Sequence, residues 1–127
     1  LTKTQIAQGV DVVFAAAGTT GLGIMQAARD GGILAIGVDS NQNHLHPGTV
    51  LTSLVKRVDL AVEQAFRGVK PGVTTLGLKE GGLDYAVDQH NQTLLTPAMR
   101  RAAEAAKADI IAGRLKVTDY TVANSCR

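Results

Sequence analysis

The sequence predicts an α/β fold, a parallel sheet flanked by helices, and three observations lead there. "DVVFAAA" (11–17) and "ILAIGV" (33–38) are short apolar runs, β-branched and bounded by glycine, of the kind that form buried strands. Between them a glycine turn opens a ten-residue stretch with helical spacing of apolar positions. Aromatic residues make up only 3% of the chain and tryptophan is absent, so the core must be filled by Ala, Val, Leu and Ile, as in layered α/β folds.

The elements follow in order. Residues 2–8 read as the end of a helix closed by Gly9. The first strand occupies 11–17. Thr19 or Thr20 is placed to cap a helix over 21–30, with Leu22, Ile24, Met25 and Ala28 as its inward stripe and Gly31-Gly32 as its stop. The second strand, 33–38, follows after so short a connection that the two must run parallel with a right-handed crossover. Residues 40–49 are polar and turn-rich, hence a loop. "VLTSLV" (50–55) is a third strand. Val58, Ala61, Val62, Ala65 and Phe66 then share a helical face, with Glu63 and Arg67 as an i,i+4 pair and Gly68 and Pro71 as the stop. "VTTLGLK" (73–79) reads as a fourth strand and "LDYAVD" (83–88) as a fifth. Thr96 and Pro97 open an Ala-rich helix over 97–112. Its residues Met99, Ala102, Ala103, Ala106, Ile110 and Ile111 are available for burial, and "LKV" (115–117) is a short edge strand.

Bulk properties bound the function. The chain has 127 residues, enough for one domain with a modest core. Its thirteen Lys and Arg are scattered, without a basic block or interleaved aromatics, which argues against a nucleic-acid partner. The single cysteine, Cys126, excludes an internal disulfide and a Cys-rich metal site. No apolar run approaches the roughly 20 residues that span a bilayer. The chain starts at Leu1 in what reads as a helix end, so a piece of a longer protein is expected.

Several residues are placed to carry chemistry. Gly18-Thr19-Thr20-Gly21-Leu22-Gly23 has the spacing G-x-x-G-x-G between a strand and a helix. Backbone amides at such a turn can face a pyrophosphate, and equally the turn needs small residues for packing alone. Asp39 directly follows the second strand. In open parallel sheets ligands bind beyond the carboxyl ends of strands, and a carboxylate there accepts hydrogen bonds from a vicinal diol such as ribose. The alternative is a plain loop acid. Phe14, near the end of the first strand, is either core or a flat platform for an aromatic base. Lys79, at the end of the predicted fourth strand, is either solvated or a donor to ligand oxygens. His44, His46 and His90 lack metal-ligand spacing, and no G-x-S-x-G nucleophile turn is present. Asp84 and Asp88 show no sign of acid–base pairing. No metal or cofactor is expected.

Four segments taken together, "GVDVVFAAAGTTGLGIMQAARD", "LAIGVDSNQ", "VLTSLVKRVDLAV" and "GLKEGGLDYAVD", resemble in order and spacing the C-terminal half of basic membrane lipoproteins, the purine-nucleoside-receptor type of ABC-transporter substrate-binding protein. The resemblance covers nearly the whole chain. It implies one lobe of a type I periplasmic-binding-protein-like fold. It also implies a non-catalytic role: a purine nucleoside held in an interlobe cleft and delivered to an ABC permease, at the outer face of the bacterial cytoplasmic membrane or in the periplasm. By the same resemblance Phe14 matches the aromatic that stacks on the base. Gly37 and Asp39 match the strand end facing the ligand, Asp59 a further acid on the cleft side, and Lys79 the lysine that reaches the ligand. The sequence departs from the family's usual "KENG", since Gly81 stands where an amide side chain is customary. An N-terminal lobe would be absent from the chain. The apolar face bearing Val62 and Phe66 would then be exposed, and dimerisation, swapping or association with that lobe is expected.

Two other function classes fit part of the pattern. The nucleotide lobe of an NAD(P)-dependent oxidoreductase accounts for residues 12–40 but not for "GLKEGGLDYAVD". A regulator could use the same lobe as a sensor.

Overall fold

The computed structural model describes residues 1–68 and 71–124; Cys126 lies outside the described residues. Two compact units are present, Leu1–Thr96 and the residues from Pro97 onward.

The first unit is built on a four-stranded sheet in the order β1-β2-β3-β4. α1 (Thr2–Ala7) precedes β1 (Val12–Phe14), α2 (Gly21–Asp30), β2 (Leu34–Asp39), β3 (Val50–Lys56), α3 (Val58–Phe66) and β4 (Leu83–Tyr85). β1, β2 and β3 are parallel, and β4 runs antiparallel to β3. The α/β architecture is therefore as expected, with an antiparallel edge strand added to the parallel set.

The β1-α2-β2 unit shows why the pattern was readable. One face of the sheet meets α2 in a core of Val13, Ala15, Met25, Ala28, Ala35 and Val50, with Val10, Ile24 and Ile33 packed against it. Met25 and Ala28, three apart, project from one helix face. β1 is shorter than the apolar run that announces it. The Ala15 N–H still bonds the Ile36 carbonyl, but the Ala17 N–H turns back to the Ala15 carbonyl. Gly18, at φ +53°, then starts a 3-10 turn over Gly18–Thr20. That turn leads into α2, and neither threonine caps it with its side chain.

Two expectations fail beyond β3. Residues 73–79 form no strand, because β4 already occupies the free edge of β3, pairing Leu54 with Tyr85 and Lys56 with Leu83. The chain enters β4 through a turn in which the Gly82 N–H bonds the Gly77 carbonyl and Gly81 sits at φ +71°. The Arg57 N–H bonds the Gly82 carbonyl, so this turn lies at the carboxyl end of β3. The segment 115–117 is not a strand either.

α3 buries no side chain. Val62 and Phe66 are 49% and 89% exposed, as expected for this face, and the Glu63–Arg67 pair forms at 2.6 Å.

In the second unit, α4 (Pro97–Ile111) matches the expected helix, but none of its residues is buried, Met99 and Ile111 included. Alanine-rich sequence forms helix by intrinsic propensity without needing a packed stripe. Gly113, at φ +72°, ends it, with the Arg114 and Leu115 N–H groups both directed to the Asp109 carbonyl. A short α5 (Tyr120–Ala123), unforeseen from sequence, is capped by Asp119, which accepts from the Thr121 N–H. Among the described residues no helix is long and apolar enough to cross a membrane.

A buried polar network ties the loop after β2 to β3 and to the segment after β4. Asn43, Ser53 and Asn91 have no solvent exposure. Asn91 Nδ2 donates to the Leu51 and Ala86 carbonyls, and its Oδ1 accepts from the Asp88 N–H. Asp88 accepts from Asn41, Asn43 and the His90 N–H. Ser53 Oγ donates to Asn43 Oδ1 and accepts from the Gln42 N–H. Gln42 Oε1 accepts from the Val38 N–H at 2.9 Å. The bonds within each segment are the turn chemistry of Asn, Asp and Gln, while those from Asn41 and Asn43 to Asp88 and from Asn91 to Leu51 join distant segments.

The network has a pH consequence. The Asn41 amide holds the Asp88 carboxyl below its ordinary range against the opposing effect of burial, and the His90 N–H and Asn43 amide act in the same direction as Asn41. A carboxyl depressed in the folded state contributes stability above its unfolded pKa, about 3.9, and loses it as pH falls through the folded value. The urea midpoint of the wild type is therefore expected to fall from pH 5 downward more steeply than that of Asp88→Asn, which should start lower at neutral pH. Parallel acid slopes for the two proteins would contradict this.

Candidate functional site

A cavity of about 390 Å³ opens at the carboxyl ends of the three parallel strands. Its walls follow from strand register. Val38 pairs with Leu54, and Phe14 pairs with Ile36, two residues before Val38. Phe14, Val38 and Leu54 thus share the sheet face opposite the α2 core. Lys56, two residues beyond Leu54, shares that face as well. The backbone from Ala16 to Gly18 forms the remaining side.

Asp39 ends β2 at φ +70°. The left-handed region is uncommon for a residue other than glycine, though aspartate tolerates it better than most. Holding it there costs of order 1 kcal/mol, which the surrounding hydrogen bonds offset. The Ser40 N–H bonds the Val38 carbonyl, and Gln42 grips the Val38 N–H from the other side. Regular alternation would send Asp39 to the face opposite Val38. The positive φ breaks that alternation, and Asp39 Oδ1 lies 2.7 Å from Lys56 Nζ. Both side chains remain more than half exposed, so water and salt screen the pair and it adds little to stability.

The sequence-predicted residues divide between the cavity and its surroundings. Phe14 and Asp39 line it. Phe14 is 56% exposed, so it is a presented ring and not a core filler. Gly37 does not line the cavity. It is buried beneath the polar network, where a Cβ would stand 2.7 Å from Gln42 Oε1 and 2.8 Å from Ser53 Oγ. Its role is to let Gln42 cross close over β2 and fix the loop that follows Asp39. Asp59, in the first turn of α3, is gripped by Arg57 through Nε and Nη2, at 2.9 and 2.7 Å, and stands outside the cavity. The hydrogen bond from Arg57 holds its carboxyl below the usual range, against the opposing effect of burial. Lys79 belongs to no strand; it is exposed in the turn before β4, at the same edge of the sheet as the cavity but not lining it.

Sequence reasoning missed the lining residues Ala16, Ala17, Val38, Leu54 and Lys56, of which Lys56 is the charged one. Strand alternation puts positions 54 and 56 on one face, but only the β2–β3 register brings Lys56 to Asp39. Among the described residues no three His, Cys, Asp or Glu side chains gather as a metal site would require.

Chemically the cavity offers a flat aromatic face, an apolar floor, a carboxylate and an ammonium. The glycine turn borders a neighbouring hollow of about 310 Å³ that also touches Val38 and Asp39.

Comparison with known proteins gives this arrangement a context. Basic membrane protein D of Borreliella burgdorferi is 42% identical over 91 residues, covering 65% of this chain and 27% of that protein. The CD4+ T-cell-stimulating antigen of Listeria monocytogenes is 30% identical over a 139-residue alignment, covering 94% of this chain and 39% of the relative. A solute-binding protein of an ABC transporter system from Aeropyrum pernix superposes with a TM-score of 0.79 at 25% identity, over 92% of this chain and 42% of that structure. A transcriptional activator from Bacillus halodurans superposes with a TM-score of 0.77 at 21% identity and shares the fold alone. The chain thus spans between 27% and 42% of the length of these proteins. The family model for PnrA-like ABC transporter substrate-binding proteins, Bmp, matches residues 1–118, and the chain belongs to that family.

Proposed function

We propose that this chain supplies one wall of the ligand cleft of an ABC-uptake substrate-binding protein, and that the ligand is a purine nucleoside. The observation that carries the reading is the cavity itself. A presented aromatic ring and a carboxylate stand together at the carboxyl ends of parallel strands, in a chain of substrate-binding ancestry. Phe14 stacks on the base. Asp39 accepts hydrogen bonds from the ribose hydroxyls. The opposite wall belongs to a second lobe that closes over the ligand, and the loaded protein meets a permease at the outer face of the membrane. An uncharacterized lipoprotein of Pyrococcus furiosus, 42% identical over 89 residues, supports that location. No catalytic step is assigned to the cavity. Lys79, at the same edge as the cavity, reaches the ligand when the lobes close, whereas Asp59, held by Arg57, orders the start of α3.

The oxidoreductase alternative has no comparable support, since the family match is to substrate-binding proteins.

The test is calorimetric titration of the full-length gene product with adenosine, inosine and guanosine, beside NADH. Saturable nucleoside binding, weakened about tenfold or more by Asp39→Ala, is the expected result, in line with the loss of a hydrogen bond to a charged group. Binding of NADH without any response to nucleosides would overturn the reading.

A further inference from the structure

β2 runs on past the end of β1, and the overhang sets the backbone of Asp39. The Ala15 N–H bonds the Ile36 carbonyl, and the next step of this parallel ladder would join Val38 to Ala15 and Ala17. That step does not form, because the Ala17 N–H turns back to the Ala15 carbonyl where β1 gives way to the glycine turn. Both polar groups of Val38 are met locally instead. Its carbonyl accepts from the Ser40 N–H at 2.8 Å, which closes a three-residue turn centred on Asp39 at φ +70°. Its N–H donates to Gln42 Oε1 at 2.9 Å. The side-chain oxygen of Gln42 thus takes the place of the strand carbonyl that β1 no longer offers.

We infer that Gln42 is a positioning residue for ligand binding and that it acts through Asp39. Its amide oxygen holds the Val38 end of the turn, and so fixes the left-handed backbone from which Asp39 lines the cavity. The inference rests on the nucleoside reading above. It adds the residue that keeps the carboxylate in place before the ligand arrives.

Three features of the structure support it. A turn with its central residue at positive φ is rare and strained, and it persists only where its surroundings hold it. Gln42 is itself anchored at its backbone. Its N–H donates to the buried Ser53 Oγ at 3.0 Å, and its carbonyl accepts from the Leu45 N–H at 3.0 Å. The side chain therefore bridges from a fixed loop to the strand end. The strand also leaves room for that bridge. A Cβ at Gly37 would stand 2.7 Å from Gln42 Oε1 and 3.1 Å from Gln42 Cβ, so any larger residue there would push the amide off the Val38 N–H. What the position requires is an acceptor of glutamine's length, since the partner is a backbone donor.

The experiment is calorimetric titration of the full-length gene product with adenosine, in a cycle of wild type, Asp39→Ala, Gln42→Met and the double variant. Methionine keeps the length of glutamine and puts a methyl group where the oxygen stands. Gln42→Met is expected to weaken adenosine by about threefold to tenfold, the worth of one hydrogen bond. In the Asp39→Ala background the same change should cost less than about twofold, because its effect passes through the carboxylate. Gln42→Glu retains the acceptor and should bring affinity back to within about twofold of the wild type. Circular dichroism and the melting temperature establish that the variants fold, and Gln42→Ala repeats the cycle should the methionine variant fail. Equal losses from Gln42→Met in both backgrounds would mean a residue that supports the fold at large, and would overturn the inference while leaving the nucleoside reading intact. Unaltered affinity in Gln42→Met would do the same. A wild type that binds no adenosine would overturn both.

Discussion

Replacing Asn91 with leucine is expected to destabilise the fold by about 3 kcal/mol, a large share of the roughly 5–15 kcal/mol that holds a domain of this size together. Leucine matches asparagine in the number and branching of its side-chain heavy atoms, so no cavity opens; its methyl groups are bulkier, and overpacking adds to the loss of hydrogen bonds. Asn91 has no solvent exposure and makes three bonds of 2.9 Å, to the Leu51 and Ala86 carbonyls and from the Asp88 N–H. The Ala86 carbonyl keeps Thr52 Oγ1 as a second partner. The Leu51 carbonyl and the Asp88 N–H have no replacement among these bonds, and each buried group left unmatched costs about 1–3 kcal/mol. The loss also reaches the cavity, because Asp88 holds Asn41 and Asn43 in the loop that follows Asp39. Urea denaturation of the two proteins measures it; a shift under 1 kcal/mol would mean that water enters and satisfies the groups.

The second large effect concerns ligand affinity. Phe14→Ala in the full-length gene product is expected to raise the nucleoside Kd by roughly 5- to 150-fold, the 1–3 kcal/mol that base–aromatic stacking contributes. Stability should hardly change, since the ring is more than half exposed. The separation of the two readouts is what distinguishes a binding residue from a packing residue. A drop in melting temperature with unaltered affinity would return Phe14 to the core.

The β1-α2-β2 unit was legible because its signals are local. Apolar runs bounded by glycine and a helical stripe of Met25 and Ala28 specify it within thirty residues, and the structure places them together. β4 was harder to read. Its direction and partner depend on which segment pairs with the free edge of β3, a choice between distant segments that local pattern does not encode. "VTTLGLK" carries the stronger β-pattern, yet Leu83–Tyr85 takes the edge because the Gly77–Gly82 turn delivers it there. The stripe on α4 was read correctly as helix, but none of its residues is buried.

The lining of the cavity was half legible. Phe14 and Asp39 end strands, and strand ends are where open parallel sheets bind ligands. Lys56 escaped because its partnership with Asp39 exists only through the β2–β3 register. Gly37 was read as facing ligand, although the atoms it makes room for are Gln42 Oε1 and Ser53 Oγ. A glycine in sequence shows that something approaches closely without showing what.

On the proposed reading, Phe14 and Asp39 hold the base and the sugar of one nucleoside. A crystal structure of the full-length gene product grown with adenosine tests it most directly. The expected result is the adenine ring stacked on Phe14 and a ribose hydroxyl within about 3 Å of an Asp39 oxygen. An adenosine bound elsewhere, with Phe14 and Asp39 facing solvent, would contradict it.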